Sequence, residues 1–296
     1  MKIIKHRKIF YAISIILLGV SLFGMVKYGL KLGVDFNGGT LIEVNFTENA
    51  PSSVEVAEKL EAIGVEGAVV RPTGENGFII RTRELKEPER VSVVNALSGA
   101  EIKRLDTVGP VLGAELRKKA TWSIVLVLLA IIIFITFAFR HVSKPIASWK
   151  YGVVAIIALL HDVIIPAGVF SFLGHFHGVE IDSLFVTALL VVLGFSIHDT
   201  IVVFDRTREN LRHNQEKNKK VPFETVVGES VSQTFTRSIN TSLTTIISLV
   251  VLYFIGPVAT QNFVLALFIG MVAGTYSSIF IGSPLLVTLE KWQKKD

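Results

Sequence analysis

Residues 191–210 read VVLGFSIHDTIVVFDRTREN. The first half is an apolar helix of membrane type, yet Ser196, His198 and Asp199 stand inside it before charges crowd in from Asp205 onward. On insertion scales an acid or base at the centre of a membrane helix costs about 2.5 to 3.5 kcal/mol, so a chain that keeps one there turns it toward a bundle interior. Whether this stretch spans a bilayer decides the fold, and the rest of the chain answers that.

The 296 residues are 50% hydrophobic and only 19% charged, with a mean hydropathy of +0.55. Those values describe a chain partly dissolved in lipid, not a soluble enzyme with a large core. A membrane helix needs about 20 mainly apolar residues. Six runs qualify, at 9–26, 122–139, 151–173, 183–204, 238–256 and 262–289. The opening MKIIKHRK resembles the basic start of a signal peptide, but the apolar run continues to Val26 and GMVKYGLKLG offers only a weak cleavage site. The first run reads as a retained anchor.

Basic residues set the expected orientation. Lys2, Lys5, Arg7 and Lys8 precede the first run, Arg140, Lys144 and Lys150 follow the second, six basic residues lie from Arg206 to Lys220, and the tail is KWQKKD. The loop at 174–182 carries Glu180 and Asp182 with no Lys or Arg. Both termini are therefore expected in the cytoplasm and residues 29–121 outside it. The expected layout is a cytoplasmic N-terminus and first helix over 1–28, an extracytoplasmic domain over 29–121, a five-helix bundle over 122–290 with a cytoplasmic loop at 205–236, and a cytoplasmic tail at 291–296.

The segment between the first two spans alternates as a folded domain does. GGTLIEVNF is rich in strand formers, and PSSVEVAEKLEAIG has a capping serine, an apolar stripe at Val56, Leu60 and Ile63, and a terminal Gly64. Strands at 67–72 and 78–83 flank the turn TGENG, EPERVSVVNALSG is helical again, and AEIKRLDTV is a last strand. The order βαββαβ is that of a small ferredoxin-like α+β domain. In GVDFNGG the glycines suit a tight junction into the first strand, with Asp35 capping or bonding backbone; no Lys-Ser or Lys-Thr follows, so this is not a phosphate loop. The chain has no cysteine, which removes thiolate metal sites and cysteine nucleophiles.

Ionisable groups stand in the spans at His161 and Asp162, at His198 and Asp199, and at the mouth of the fifth, where Arg237 opens TRSINTSLTT. Asp199 lies about five residues, roughly 8 Å, from the cytoplasmic end of its span, and Arg237 enters from that end. Ser196, Asp199 and Val203 share a face, and Arg237, Asn240 or Thr241, Thr244 and Ser248 form a polar stripe suited to a neighbouring helix or a wet cavity. These two faces are expected to meet. A carboxylate balanced between burial and an arginine can load and release protons as helices move, so Asp199 and Arg237 are the expected relay, with Asp162 and His198 as further candidates and Ser196, Thr200, Asn240, Thr241 and Thr244 as the supporting polar face.

Pro166 follows Asp162 by four residues and should open the third helix there, so Asp162 either hydrates that break or joins the relay. In the sixth span Gly270, Gly274, Ser278 and Gly282 recur every fourth position, a ridge for close helix packing within the chain or onto a partner. From Phe223, apolar positions 223, 226, 227, 231 and 235 predict an amphipathic helix lying along the membrane or touching a partner.

Five motifs in order, KLGVDFNGGTLIEV, VGPVLGAEL, LLHDVII, GFSIHDTIVVFDRTREN and TRSINTSLTT, resemble the SecF family, the smaller membrane subunits of the SecD and SecF complex of the bacterial secretion translocase. The resemblance implies six spans with one external domain, similar to half of a resistance-nodulation-division transporter, and a six-span SecD partner. It further implies use of the proton gradient to help the SecYEG channel and its motor ATPase finish export, with external domains gripping the unfolded polypeptide. By motif, the family's proton-path aspartate and arginine fall on Asp199 and Arg237. His198 replaces the family's usual asparagine and brings an ionisable ring where the family has an amide.

Other readings compete. An intramembrane aspartyl protease would use Asp162 and Asp199 as a dyad, but histidine precedes each where such enzymes place glycine. A metal transporter would recruit His161, Asp162, His198 and Asp199 yet have no use for a nearby arginine. A small-molecule exporter of the resistance-nodulation-division superfamily would carry a larger external domain. No cofactor, metal site or ATP site is expected, and the basic residues flank spans, which argues against nucleic acid as a partner.

Overall fold

The computed structural model describes residues 2–293 apart from 48–49, 75 and 140–146, and leaves the side chains of Lys2 and Ser148 undescribed. The orienting residues Arg140 and Lys144, the tail lysines at 294 and 295 and the middle of the turn TGENG lie outside the described residues. The chain forms two compact units, one of Met1–Lys31, Ser123–Val179 and Leu184–Asp296, the other of Leu32–Trp122 with Glu180–Ser183.

In chain order the elements are α1 (Lys2–Lys5), α2 (Arg7–Tyr28), α3 (Val34–Asn37), β1 (Gly39–Phe46), α4 (Ser53–Ala62), β2 (Val69–Thr73), β3 (Gly77–Thr82), α5 (Glu87–Ala96), β4 (Ala100–Val108), α6 (Pro110–Ala138), α7 (Ser148–His177), α8 (Ser183–Glu216), α9 (Phe223–Ile255), α10 (Gln261–Ser277) and α11 (Ser283–Gln293). Six stretches of helix are long and apolar enough to cross a membrane: α2, α6, α7, α8, α9, and the run Val258–Gln293 that includes α10 and α11.

The smaller unit is a four-stranded antiparallel sheet in the order β2-β3-β1-β4, with β1 pairing β3 and β4 in the centre. That order is the split βαβ arrangement of a ferredoxin-like fold. Alternation along β1 buries Ile42, Val44 and Phe46, and β3 buries Phe78 and Ile80. Val56 and Leu60 of α4 and Val93 of α5 close over that face. Helix α4 starts where the sequence expects it: Ser52 Oγ accepts from Glu55 N at 3.2 Å and Glu55 Oε2 accepts from Ser52 N at 2.8 Å. Gly38 and Gly39, at the entry to β1, have φ of +79° and +132°, and a Cβ at Gly39 would meet the Thr82 carbonyl oxygen at 2.6 Å. Only glycine fits that entry.

The larger unit is a helical bundle. Its centre stacks Phe139 on Tyr151 with ring centroids 5.3 Å apart, and Phe204 meets both edge-on. Tyr28 of α2 stacks on His175 of α7 at 4.1 Å, and Ser171 Oγ donates to the Gly24 and Gly29 carbonyls at 2.7 Å each.

The structure extends or corrects several expectations. The apolar run at 122–139 belongs to a longer helix that starts at Pro110, because a helix does not end where its apolar run ends; proline suits a first helical position and Glu115, Arg117, Lys118 and Lys119 continue the coil beyond the apolar stretch. The connection over 205–236 consists of the charged end of the fourth helix, which runs to Glu216, a short turn, and a helix that begins at Phe223 as expected but continues unbroken into the fifth span, to Ile255. Phe223, Val226, Val227 and Val231 are buried in the bundle core instead of lying along a surface, while Phe235 is exposed. No proline interrupts the helix from Phe223 onward, and Glu224 anchors its start to Arg7 at 3.0 Å and to Lys291. Finally, the sixth span carries a π-type turn at Ser278–Gly282 between α10 and α11, a feature that its apolar run does not announce. Pro284 explains it, because its ring clashes with the carbonyl of residue 280 in a regular helix. Pro166, by contrast, sits inside an unbroken α7.

Candidate functional site

The glycine ridge of α10 determines how α8 sits. A Cβ on Gly270 would meet Val192 Cγ2 at 2.4 Å, one on Gly274 would meet Ser196 Cβ at 2.9 Å, and one on Gly282 would lie 3.8 Å from Thr200 Cγ2. Val192, Ser196 and Thr200 recur every four residues, so the ridge and this row of α8 run along each other. Ser278 belongs to the π-type turn and donates to the Thr275 carbonyl at 3.2 Å. Thr200 Oγ1 donates to the Ser196 carbonyl at 3.1 Å, a bond local to its own helix.

The close approach brings Ser196 to the third span. Its Oγ donates to Asp162 Oδ2 at 2.5 Å, and Ser277 Oγ of α10 donates to the same oxygen at 2.7 Å. His161 Nδ1 lies 2.9 Å from Asp162 Oδ1, and its ring stacks on Tyr276, whose hydroxyl donates to the Phe10 carbonyl at 2.9 Å. Asp162 is 0% exposed and His161 2%. A buried carboxylate with three side-chain partners from α7, α8 and α10 is satisfied on both oxygens, as burial demands.

Asp199 is placed differently. It is 3% exposed and has one hydrogen bond among the described residues, from Ser242 Oγ of α9 at 3.3 Å, and no ion pair. The expected contact with Arg237 is absent. The face of α9 turned inward carries Thr234, Ser238, Ser242 and Leu249, and Arg237, one residue before Ser238, projects about 100° away from it. Arg237 instead lines a cleft of ≈ 370 Å³ with Asp205, Arg206, Glu209, Gln233 and Thr234. The stripe of Asn240, Thr241, Thr244 and Ser248 is exposed, its hydroxyls bonded to carbonyls of their own helix. His198 is exposed too. Sequence reasoning thus missed Ser242 and Ser277, the hydroxyls that reach the two acids; only their helical positions relative to Ser238 and Gly274 pointed to them.

No group of three or more His, Cys, Asp or Glu able to hold a metal occurs among the described residues. Asp162 and Asp199 do not bond each other, so the two acids share no proton as a protease dyad would.

Six spans, a split βαβ domain after the first and two carboxylates buried at helix interfaces define a multi-pass membrane protein of transporter build. Comparison with known proteins narrows this. Residues 90–292 match the family Protein export membrane protein SecD/SecF, C-terminal, and residues 23–50 match the SecD/SecF GG Motif. The chain is 43% identical to the protein translocase subunit SecF of Thermobaculum terrenum, over 99% of this chain and 94% of that one. It is 38% identical to that of Anaerolinea thermophila, over 98% and 94%. The crystal structure of SecDF, a translocon-associated membrane protein from Thermus thermophilus, superposes with a TM-score of 0.82 at 31% identity, covering 98% of this chain and 39% of that longer chain. The chain belongs to the SecD/SecF family of protein-export membrane proteins, on the SecF side of it. The readings as protease, metal transporter or small-molecule exporter are not favoured by these relatives.

Proposed function

We propose that this chain pairs with a SecD subunit and uses the proton motive force to promote late steps of export through the SecYEG channel and its motor ATPase. Residues 29–121 face the outside of the bacterial cytoplasmic membrane, where they meet the unfolded polypeptide, and both termini face the cytoplasm. The observation that carries the reading is Asp199: a carboxyl buried in a span with one long bond, to a neutral hydroxyl, and no ion pair among the described residues. A buried charge without a partner is costly, and a proton neutralises it where no cation does. Such a group holds a proton while enclosed and gives it up when the helices part.

Arg237 and the open stripe of Asn240, Thr241 and Thr244 face the SecD partner in this reading, since a dense polar row in a span is covered by protein in preference to lipid. Arg237 then approaches Asp199 only when the assembled helices move, and His198 tunes the response. Asp162, tied by His161, Ser196 and Ser277, holds the helices that frame the path.

The test is preprotein export into vesicles containing the partner complex, with and without a proton gradient. Asp199→Asn should lose the gradient-dependent share and keep the rest. Unchanged gradient dependence would overturn the assignment.

A further inference from the structure

The connector between the two acid-bearing helices α7 and α8 is short, running from Gly178 to Asp182, and its second half folds into the α+β unit. Four contacts hold it there. Gly33 N donates to the Ile181 carbonyl at 2.8 Å, and Leu32 pairs with Ile181 as a parallel bridge. Asp35 Oδ2 accepts from Ser183 N, the first residue of α8, at 2.9 Å across 148 positions of sequence. Arg81 Nη1 of β3 lies 3.0 Å from Glu180 Oε1, with side chains only 18% and 11% exposed.

Each contact has a reason. Gly33 suits this close approach because a Cβ there would sit a tight 3.1 Å from the Ile181 carbonyl oxygen. The first amides of a helix lack acceptors within it, and its N-terminus favours negative charge, so Asp35 supplies both an acceptor and the right sign. Arg81 comes from the interior of the sheet, flanked by Val69 and Leu41 on the neighbouring strands, and burial lowers its pKa while Glu180 opposes that shift. An arginine there without its partner would be a poorly compensated buried charge.

We propose that Asp35, Arg81 and Glu180 form a latch that makes the α+β domain a positioning element for α8 and, through it, for Asp199. Asp199 lies 16 residues beyond Ser183, about 24 Å along a continuous helix. A shift of α8 at its latched end moves Asp199 against α9, where a single bond of 3.3 Å holds it. The functional half of this inference rests on the proton-carrier reading of Asp199; the latch itself does not.

Charge exchange tests it in the full chain assembled with its partner complex. Arg81→Glu and Glu180→Arg are each expected to speed amide hydrogen exchange over residues 183–190 at least tenfold and to abolish the gradient-dependent share of export. The Arg81→Glu/Glu180→Arg double variant is expected to restore both. Asp35→Asn, which keeps an acceptor oxygen but loses the charge, should give an intermediate exchange rate, so the latch remains testable even where a charge reversal prevents folding. Unaltered exchange at 183–190 in the single and Asp35→Asn variants overturns the latch. Failure of the double variant to recover overturns the pairing. Faster exchange with normal gradient-dependent export in the latch variants, when Asp199→Asn made separately does lose that share, overturns the coupling. If Asp199→Asn itself is normal, the proton-carrier reading falls and the exchange rates still decide the latch.

Discussion

The two buried acids of the bundle share a residue type and little else. Asp162 has both oxygens occupied, by a histidine and two serines; Asp199 has one distant serine and, nearby on the same helix pair, a polar face left open. Saturation fixes a carboxylate and makes it part of the frame. Sparse bonding leaves a carboxylate whose state depends on what approaches it. Two acids at comparable depth of burial can therefore carry opposite duties, and the hydrogen-bond inventory separates them where burial alone does not.

The largest expected effect breaks this comparison if it fails. Asp162→Ala strands His161, Ser196 and Ser277 in the interior and should cost roughly 3 to 5 kcal/mol, read as a lowered denaturation midpoint in detergent. Asp199→Ala removes one bond and should cost about 1 kcal/mol; equal losses for the two would erase the distinction.

The seam between α8 and α10 comes next. Gly270→Ala drives a methyl into Val192 and should cost about 1 to 3 kcal/mol, Gly274→Ala somewhat less, and Gly282→Ala, which faces the Thr200 side chain at ordinary contact distance, close to nothing. Thermal melts of the three variants should fall in that order, and a flat series would mean that the seam relaxes freely.

The smallest effect sharpens the comparison from the α+β domain, where a hydrogen-bonded carboxylate can be watched by pH. Glu89 accepts from Arg83 and from Lys86 N, and the arginine chiefly brings its pKa down from 4.5 to about 2. Its folded value is depressed, so its contribution is complete above about pH 4.5 and disappears as pH falls through 2. The melting-temperature gap between wild type and Glu89→Gln should close over that window; a gap that widens on acidification would contradict the sign.

Much of this was legible in one sequence, for physical reasons. Six apolar runs, the period of the strands and the Ser52 cap each leave a local signature, and so the spans and the βαββαβ order could be read directly. Helix ends could not, because α6 and α9 continue through charged residues that a helix tolerates and a bilayer does not. The pairing of Asp199 with Arg237 failed on rotation: depth along a helix can be counted, but which face of α9 turns inward is decided by neighbours far away in the chain. The bonds from Ser277 to Asp162 and from Ser183 to Asp35 span 115 and 148 positions, beyond any local pattern.

The lengths of α8 and α9 have a mechanical meaning. At 34 and 33 residues each is about 50 Å long, against a hydrocarbon layer of about 30 Å. Some 20 Å of each must stand clear of the lipid, joined by the turn at 217–222. Asn210 bonds Ser230 and Gln233 across the pair, and Arg206 bonds Gln233 as well. Such cross-braced helices form a beam, not a slack loop: a push on its tip is a torque delivered inside the membrane, at the level where Asp199 meets Ser242.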